Sequence, residues 1–116
     1  MDIDRFKQYN DSRGHAAGDL LLRGFAFAAD SLLRDGDTIA RWGGDEFAVL
    51  LPDCTSLQAA EVVLSRVLGA VPDEQTCSVG LALWDVLETA ESLMRRADEA
   101  LYRAKAAGRN RITTGV

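Results

Sequence analysis

The sequence TIARWGGDEFAVLL, residues 38–51, predicts a β-hairpin. Its two arms, residues 38–42 and 47–51, are rich in β-branched and aromatic side chains. They are joined by Gly43, Gly44, Asp45 and Glu46, and glycine readily takes the positive φ angles that a tight hairpin turn requires.

The spacing of apolar residues on both sides of the hairpin predicts further strands and helices. The predicted elements, in chain order, are the end of a strand at residues 1–3, a helical turn at 6–9, a polar loop at 10–15, a helix from 17 that Gly36 ends, the hairpin, a helix over 57–67 opened by a capping box at Thr55 and Gln58, a strand at 76–84, a helix at 89–107 capped by Gly108, and a closing strand at 111–113. This order predicts an α+β fold, an αβ sandwich with a ferredoxin-like, palm-type, antiparallel-centred sheet. Helices pack on that sheet, and a C-terminal helix and strand are added to it.

Length and composition limit the class of protein. The chain has 116 residues and a net charge of −5, which fits one domain and argues against binding to a nucleic acid polymer. No segment is long and apolar enough to be a membrane span, so we expect no membrane contact and a cytoplasmic location. The two cysteines have no metal-ligand spacing and are interpreted as reduced core thiols.

The domain is expected to be incomplete at its N-terminus. The first strand of a ferredoxin-like sheet lies in the middle of that sheet, yet only Met1 precedes Asp2. We therefore interpret residues 1–116 as a single domain whose first strand is cut short. A membrane anchor of the parent protein would lie in absent domains.

Carboxylates are predicted to meet where the first strand ends and the hairpin turns. Asp2 closes the strand, and Asp45 and Glu46 lie at the bend. Acidic side chains together with a backbone carbonyl suit Mg²⁺ or Mn²⁺, which prefer oxygen ligands. The alternative is an ordinary hairpin, since Gly and Asp are common turn residues.

Two further groups of polar residues are candidates for binding a nucleotide. Lys7, Lys105 and Arg109 could neutralise phosphates, although basic residues near a helix C-terminus also complement its dipole. Asn10 and Asp19 could hydrogen-bond the edge of a guanine, with His15 nearby. Each of these three residues also has an ordinary structural interpretation, as a loop residue, a first-turn acid or a satisfied histidine.

Four segments along the chain carry a family resemblance, and they cover nearly its whole length. They are DIDRFKQYNDSRGHAAGD at residues 2–19, RWGGDEF at 41–47, TCSVG at 76–80 and ADEALYRAKAAGRN at 97–110. In order and spacing they resemble the GGDEF domains. The resemblance implies a diguanylate cyclase, a bacterial signalling enzyme that joins two GTP molecules into cyclic di-GMP and releases two pyrophosphates.

The same resemblance implies a role for each site residue. Asp2, the main-chain carbonyl of Ile3, and Asp45 would hold the metal, Mg²⁺ or Mn²⁺. Asp45 would also promote deprotonation of the attacking 3′-hydroxyl, Glu46 would support the metal site, and Lys7 would stabilise the transition state. The substrate-binding residues would be Phe6 and Lys7 through their backbone N–H groups, Asn10, His15 and Asp19 around the guanine, Gly43 and Gly44 beside the nucleotide, and Lys105 and Arg109 on the β- and γ-phosphates.

The resemblance further implies a homodimer, because each domain binds one GTP and two of them must face each other. Arg34 and Asp37 match an Arg-x-x-Asp inhibitory site for the product, and their alternative interpretation is a helix-terminal Arg followed by a turn Asp. A second functional hypothesis is a catalytically inactive module that binds cyclic di-GMP or GTP and regulates a partner. The intact signature at residues 41–47 favours the enzyme.

Overall fold

The computed structural model describes residues 1–115, which form five strands and four helices. The strands are β1 (Asp2–Ile3), β2 (Thr38–Gly43), β3 (Glu46–Leu50), β4 (Cys77–Ala82) and β5 (Ile112–Gly115). The helices are α1 (Phe6–Arg13), α2 (His15–Ser31), α3 (Leu57–Leu68) and α4 (Ala90–Ala106). None of the helices in residues 1–115 has the length and apolar character needed to cross a membrane.

The strands form one sheet in the order β2-β3-β1-β4-β5. All neighbours pair antiparallel except β4 and β5, which are parallel. The short β1 lies in the middle, where Asp2 is opposite Glu46 on one side and Ser78 on the other. The predicted α+β sandwich with an antiparallel-centred sheet is therefore confirmed.

Helices cover both faces of the sheet. Neighbouring residues of a strand point to opposite faces, so one strand contributes side chains to both helical layers. Ile3, Phe47 and Val79 face the main core beneath α2 and α3, where Phe25 meets Phe47 edge to face with ring centroids 5.2 Å apart. Gly80 faces α4, and a Cβ there would lie 2.9 Å from the Cα of Leu101. The helix added to the ferredoxin-like elements thus packs on the face opposite to α2 and α3.

The predicted loop at residues 10–15 is wrong, because α1 continues through Arg13. Asn, Asp and Ser at positions 10–12 are weak helix formers, but tertiary contacts hold them in the helix. Tyr9 is buried and donates its hydroxyl proton to Asp73 at 2.7 Å, and Arg13 forms an ion pair with the same carboxylate. Gly14 alone separates α1 from α2, with a φ of +88°.

Other boundaries shift by a few residues. Helix α2 begins at His15 and ends at Ser31, so Gly36 lies in the turn beyond it with a φ of +93°. Ser56, and not Thr55, is the N-cap of α3, accepting the backbone N–H of Ala59 at 3.3 Å. Strand β4 is shorter than predicted, and the closing strand is β5.

Candidate active site

The tip of the hairpin is a two-residue turn, since Gly43 and Glu46 already pair with each other as strand residues. Gly44 has a φ of +53° and Asp45 a negative φ, which is the φ pattern of a type II′ turn. Arg41 steadies the turn by donating its Nε–H to the carbonyl oxygen of Gly44 at 2.8 Å. A Cβ at Gly43 or at Gly44 would meet no protein atom within 4 Å, so the space over both glycines is open to a ligand.

The end of β1 lies directly against this turn. The backbone N–H of Ile3 donates to the carbonyl oxygen of Asp45 at 3.2 Å, and Asp2 is opposite Glu46 in the sheet. Asp2 is 6% exposed, whereas Asp45 is partly buried and Glu46 is exposed. The two aspartates predicted from the sequence to meet are therefore neighbours at one edge of the fold.

The electrostatics of this pair favour a bound cation. Burial raises the pKa of Asp45 above its usual range, and the negative charge of Asp2 raises it further. The Oδ1 atom of Asp2 is buried and has no hydrogen-bond partner within residues 1–115. A cation between the carboxylates would satisfy that oxygen and offset the repulsion between two like charges.

The residues present fit a divalent ion that prefers oxygen ligands. Two carboxylates and a main-chain carbonyl leave coordination positions for water and phosphate, as Mg²⁺ sites do. In the described part of the chain no three Asp, Glu, His or Cys side chains gather around one point. Lys105 provides positive charge at this site, because its ammonium group contacts Oδ2 of Asp2.

The N-terminus of α1 offers backbone N–H groups near the same edge. The first helical hydrogen bond runs from the N–H of Tyr9 to the carbonyl of Arg5, so the N–H groups of Phe6 and Lys7 have no partner in the helix. Arg5, the N-cap, has a φ of 52° and makes no side-chain capping bond. This arrangement, with the positive end of the helix dipole, suits an anion such as a phosphate.

A second source of positive charge is the C-terminal end of α4. Lys105 lies in the last turn of the helix, and Arg109 follows in the turn beyond it. Arg109 and Asn110 both have left-handed backbones, with φ angles of 65° and 48°. The Arg109 side chain is partly buried and makes no hydrogen bond or ion pair within residues 1–115, so it is available to a ligand.

The candidates for guanine binding lie where α1 packs on α2. Asn10 rests against Gly18, whose missing Cβ would overlap the Asn10 Oδ1 atom. That oxygen is buried without a hydrogen-bond partner in the described residues. Asp19 is next to Gly18 and exposed, and the exposed His15 lies one helical turn before it on the same face of α2.

Comparison with known proteins gives the family. A family model described as diguanylate cyclase, GGDEF domain, matches residues 1–111. The chain belongs to the GGDEF domain family. It is 45% identical over 122 residues to the diguanylate cyclase DgcP of Pseudomonas aeruginosa, covering 97% of this chain and 18% of that protein.

Solved structures of GGDEF proteins have the same fold as this chain. The diguanylate cyclase SiaD from Pseudomonas aeruginosa, solved with its activator SiaC, is 42% identical with a TM-score of 0.89, over 97% of this chain and 47% of that one. The GGDEF domain of DgcB from Caulobacter crescentus, solved with c-di-GMP, is 34% identical with a TM-score of 0.90. The match covers 98% of this chain and 74% of the DgcB chain. This GGDEF domain thus spans less than a fifth of DgcP and about half of the SiaD chain.

The Arg34 and Asp37 pair of this GGDEF domain lies away from the acidic edge. Asp37 comes just before β2 and Gly44 just after it, so the pair and the turn are separated by the length of a six-residue strand, about 20 Å. The backbone N–H of Arg34 donates to Oδ2 of Asp37 at 3.0 Å, and the Arg34 Nε lies 3.5 Å from the same oxygen. The Asp37 side chain is only 3% exposed. The Arg34 side chain is 62% exposed and is the part of the pair that a ligand can reach.

Sequence reasoning missed one residue of this GGDEF domain that contacts several site elements. Asp4 is buried and accepts hydrogen bonds from Thr76, Ser78 and Asn110. The available signal was the pair of hydroxyl residues, Thr76 and Ser78, alternating with apolar residues along a buried strand. Two polar side chains facing the same way in such a strand indicate a buried polar partner.

Proposed function

We propose that this GGDEF domain is a diguanylate cyclase, which condenses two GTP molecules into cyclic di-GMP and two pyrophosphates. The observation that carries the proposal is the edge where Asp2 and Asp45 are adjacent and Lys105 contacts Asp2. Negative groups for a metal and positive groups for phosphates are what phosphoryl transfer requires. The relatives named as diguanylate cyclases, DgcP among them, support the same function.

In the proposed reaction, the 3′-hydroxyl oxygen of one GTP bonds to the α-phosphorus of the other. The bond from that phosphorus to the bridging oxygen of the β-phosphate breaks, and pyrophosphate leaves. Asp45 would promote deprotonation of the attacking 3′-hydroxyl, the role that the family resemblance gives it. A second step of the same kind closes the ring: the 3′-hydroxyl oxygen of the other nucleotide bonds to the remaining α-phosphorus, and a second pyrophosphate leaves.

Asp2, the carbonyl of Ile3, and Asp45 would hold Mg²⁺ or Mn²⁺, with Glu46 supporting the site. When bound, the ion would lower the pKa of the 3′-hydroxyl and neutralise negative charge on the transferring phosphate. The fit rests on Oδ1 of Asp2, which is buried without a hydrogen-bond partner in residues 1–115, and on the repulsion between the two carboxylates.

Positioning of the substrate is assigned to side chains and backbone around this edge. The N–H groups of Phe6 and Lys7 would bind phosphate oxygens, and Lys105 and Arg109 would bind the β- and γ-phosphates. The Lys7 side chain, which is exposed, would approach the transferring group and stabilise its transition state. These donors surround a triphosphate from several directions, which spreads the neutralisation of its charge.

Guanine recognition is assigned to Asn10 and Asp19, with His15 near the nucleoside. The glycines Gly43 and Gly44 would let the nucleotide lie close to the hairpin, as the open space over them allows. Each domain would bind one GTP, so two domains must face each other with their sites related by a twofold axis. The GTP substrate implies a cytoplasmic location.

Product inhibition is assigned to Arg34 and Asp37. The exposed Arg34 guanidinium suits a phosphate or the face of a guanine, while Asp37 is largely taken up by its own turn. An Arg34→Ala variant should therefore lose inhibition by cyclic di-GMP and keep its initial rate. Inhibition that persists in Arg34→Ala would contradict this assignment.

The decisive experiment is GTP turnover with Mg²⁺ at high protein concentration, with nucleotides separated by chromatography. The parent chain should form cyclic di-GMP and Asp45→Asn should not. Asp53→Asn, the same chemical change at an exposed loop residue, is the matched control and should behave like the parent. Product from Asp45→Asn at the parent rate would refute the mechanism.

The rate per domain should also rise with protein concentration, because the active species is a dimer. A chain that binds cyclic di-GMP or GTP and forms no product at any concentration would instead be a non-catalytic binding module. The complex of DgcB with c-di-GMP is the observation on a related GGDEF domain that keeps this second function in view.

A further inference from the structure

Asp4 is a buried carboxylate that none of the catalytic assignments uses. It is 4% exposed and accepts three hydrogen bonds. The hydroxyls of Thr76 and Ser78 donate to its two oxygens at 2.6 Å each, and the backbone N–H of Asn110 donates to Oδ2 at 3.0 Å. The side chain of Asp4, the residue directly after β1, is therefore bonded both to β4 and to the turn after α4.

The three donors distinguish Asp4 from Asp2. Both Asp4 oxygens are occupied by donors of the protein, whereas Oδ1 of Asp2 has no partner within residues 1–115. A carboxylate already saturated by hydroxyl and N–H donors has little capacity left for a metal ion. Asp4 therefore suits a structural role, whereas Asp2 keeps its Oδ1 atom available for a metal ion.

The turn that Asp4 contacts needs an external restraint. Arg109 and Asn110 are consecutive non-glycine residues in the left-handed region, with φ angles of 65° and 48°. Such backbones persist only when surrounding contacts hold them. The N–H of Asn110 donating to a buried carboxylate is a charge-assisted hydrogen bond, among the stronger restraints available.

The backbone of Asp4 is held as firmly as its side chain. Its N–H donates to the carbonyl of Thr76 at 2.9 Å, next to the pairing of Ile3 with Cys77. Asp4 is therefore fixed relative to β4, and through its carboxylate the turn is fixed relative to both strands. Asp2 lies two residues before Asp4, in β1.

We propose that Asp4 is a positioning residue that holds the turn after α4, and with it Arg109 and Lys105, against the end of β1 that carries Asp2. The catalytic consequence rests on the proposed cyclase function, but the restraint on the turn does not. Asp4 acts through Asn110, because both of its carboxylate oxygens already accept hydrogen bonds from protein donors.

The test compares Asp4→Ala and Asp4→Asn with the parent chain and with Glu88→Gln. Glu88 also accepts a charge-assisted bond, from Arg96, but at the other end of α4, so its loss destabilises the fold without touching the turn. Hydrogen exchange of the Asn110 amide reports the restraint directly. The KM and kcat for GTP, measured with Mg²⁺, report its consequence for the site.

Exchange of the Asn110 amide should quicken at least about tenfold in Asp4→Ala, the loss expected for a hydrogen bond to a charged acceptor. Asp4→Asn keeps one oxygen acceptor and should fall between Asp4→Ala and the parent. The KM for GTP should rise about tenfold in Asp4→Ala with a smaller change in kcat, because the phosphate-binding cations are displaced. Glu88→Gln should leave the Asn110 amide and the KM unchanged.

Two outcomes overturn the proposal. One is an Asp4→Ala chain with a lower melting temperature but parental exchange at Asn110. The other is a Glu88→Gln chain whose KM rises as much as that of Asp4→Ala. If Asp4→Ala does not fold, Thr76→Val and Asp4→Asn give the same comparison. A parent chain that forms no cyclic di-GMP would remove the cyclase function, and the exchange measurement would still decide the role of Asp4.

Discussion

Replacing Gly18 by Ala should damage guanine binding while leaving the domain folded. A Cβ on Gly18 would overlap Oδ1 of Asn10 and lie 2.9 Å from its Cγ and 3.1 Å from Cζ of Phe6. The obstructing group is the end of a flexible side chain, so the backbone of α2 need not move. Ala is also better than Gly inside a helix by about 1 kcal/mol, which offsets the local crowding.

The size of the effect follows from the work assigned to Asn10. To make room for the new methyl group, its carboxamide must turn away from Gly18. A polar group left without its hydrogen bond costs about 1–3 kcal/mol, which corresponds to a roughly 5- to 150-fold weaker affinity. We expect the Kd for GTP, measured by calorimetric titration with Mg²⁺, to rise within this range.

Two comparisons separate this effect from a general loss of stability. Gly24→Ala makes the same change in the same helix, where the new Cβ would lie 3.3 Å from Cγ of Pro72 and far along α2 from Asn10. It should keep the parental Kd for GTP. Binding of ATP, which lacks the guanine edge, should be weakened less than binding of GTP by Gly18→Ala. A Gly18→Ala chain with parental GTP affinity would refute the role given to Asn10.

Three further predictions concern charge and packing. Because the pKa of Asp45 is raised in the folded state, its stabilising contribution is lost as pH rises through that pKa, and the ionised form costs stability at pH 7. Asp45→Asn should therefore have a higher melting temperature than the parent in EDTA. Mg²⁺ at ten times its Kd should stabilise only the parent, by about 1.4 kcal/mol. Equal stabilisation of both chains by Mg²⁺ would contradict the metal site. A hydrogen bond from Arg96 lowers the pKa of Glu88 to about 2 from the usual 4.5. As the pH is lowered from 4.5 to 2, the melting temperature should therefore fall more steeply in the parent than in Glu88→Gln. Parallel curves of melting temperature against pH would show that the bond is not formed. Gly80→Ala should lower the free energy of unfolding, measured by denaturant titration, by about 3 kcal/mol, because its Cβ would press on the backbone of α4 and not on a side chain. A decrease below about 1 kcal/mol would contradict that packing.

The meeting of Asp2 with the hairpin tip was predictable because it depends only on which strands are neighbours. The sequence of residues 38–51 predicts a hairpin, and the strand order of a ferredoxin-like sheet places the first strand beside that hairpin. The end of that strand and the tip of the hairpin then lie at one edge, as the bond from the Ile3 N–H to the Asp45 carbonyl shows. No side-chain detail was needed for this step.

The extent of α1 was not predictable from its own residues. Local propensity over residues 10–12 favours a loop, and the contacts that override it come from Asp73, more than 60 positions along the chain from Tyr9. The same applies to Asn10, whose contact with Gly18 exists only because α1 continues and packs on α2. The error about the loop therefore hid the geometry of the candidate guanine site.

Contacts of Asp4 and Lys105 were beyond sequence reasoning for a related reason. Each joins residues about 70 to 106 positions apart, and neither contact follows from periodicity or turn chemistry. Asp4 reads as an ordinary acidic residue after a strand, and Lys105 as a cation complementing a helix dipole. Only the packing of α4 on the sheet shows that both act at the end of β1.

The ion pair between Lys105 and Asp2 explains how the acidic edge is tolerated in the folded domain. Two carboxylates at one edge, one buried and one partly buried, repel each other, and burial together with the charge of Asp2 raises the pKa of Asp45. The Lys105 ammonium offsets the charge of Asp2 at Oδ2 but leaves Oδ1 without a hydrogen-bond partner within residues 1–115. The site therefore keeps one stabilising contact and one open position on the same carboxylate. Because a divalent ion supplies more positive charge than an ammonium group, its arrival would weaken the hold of Asp2 on Lys105 and leave that cation for a phosphate.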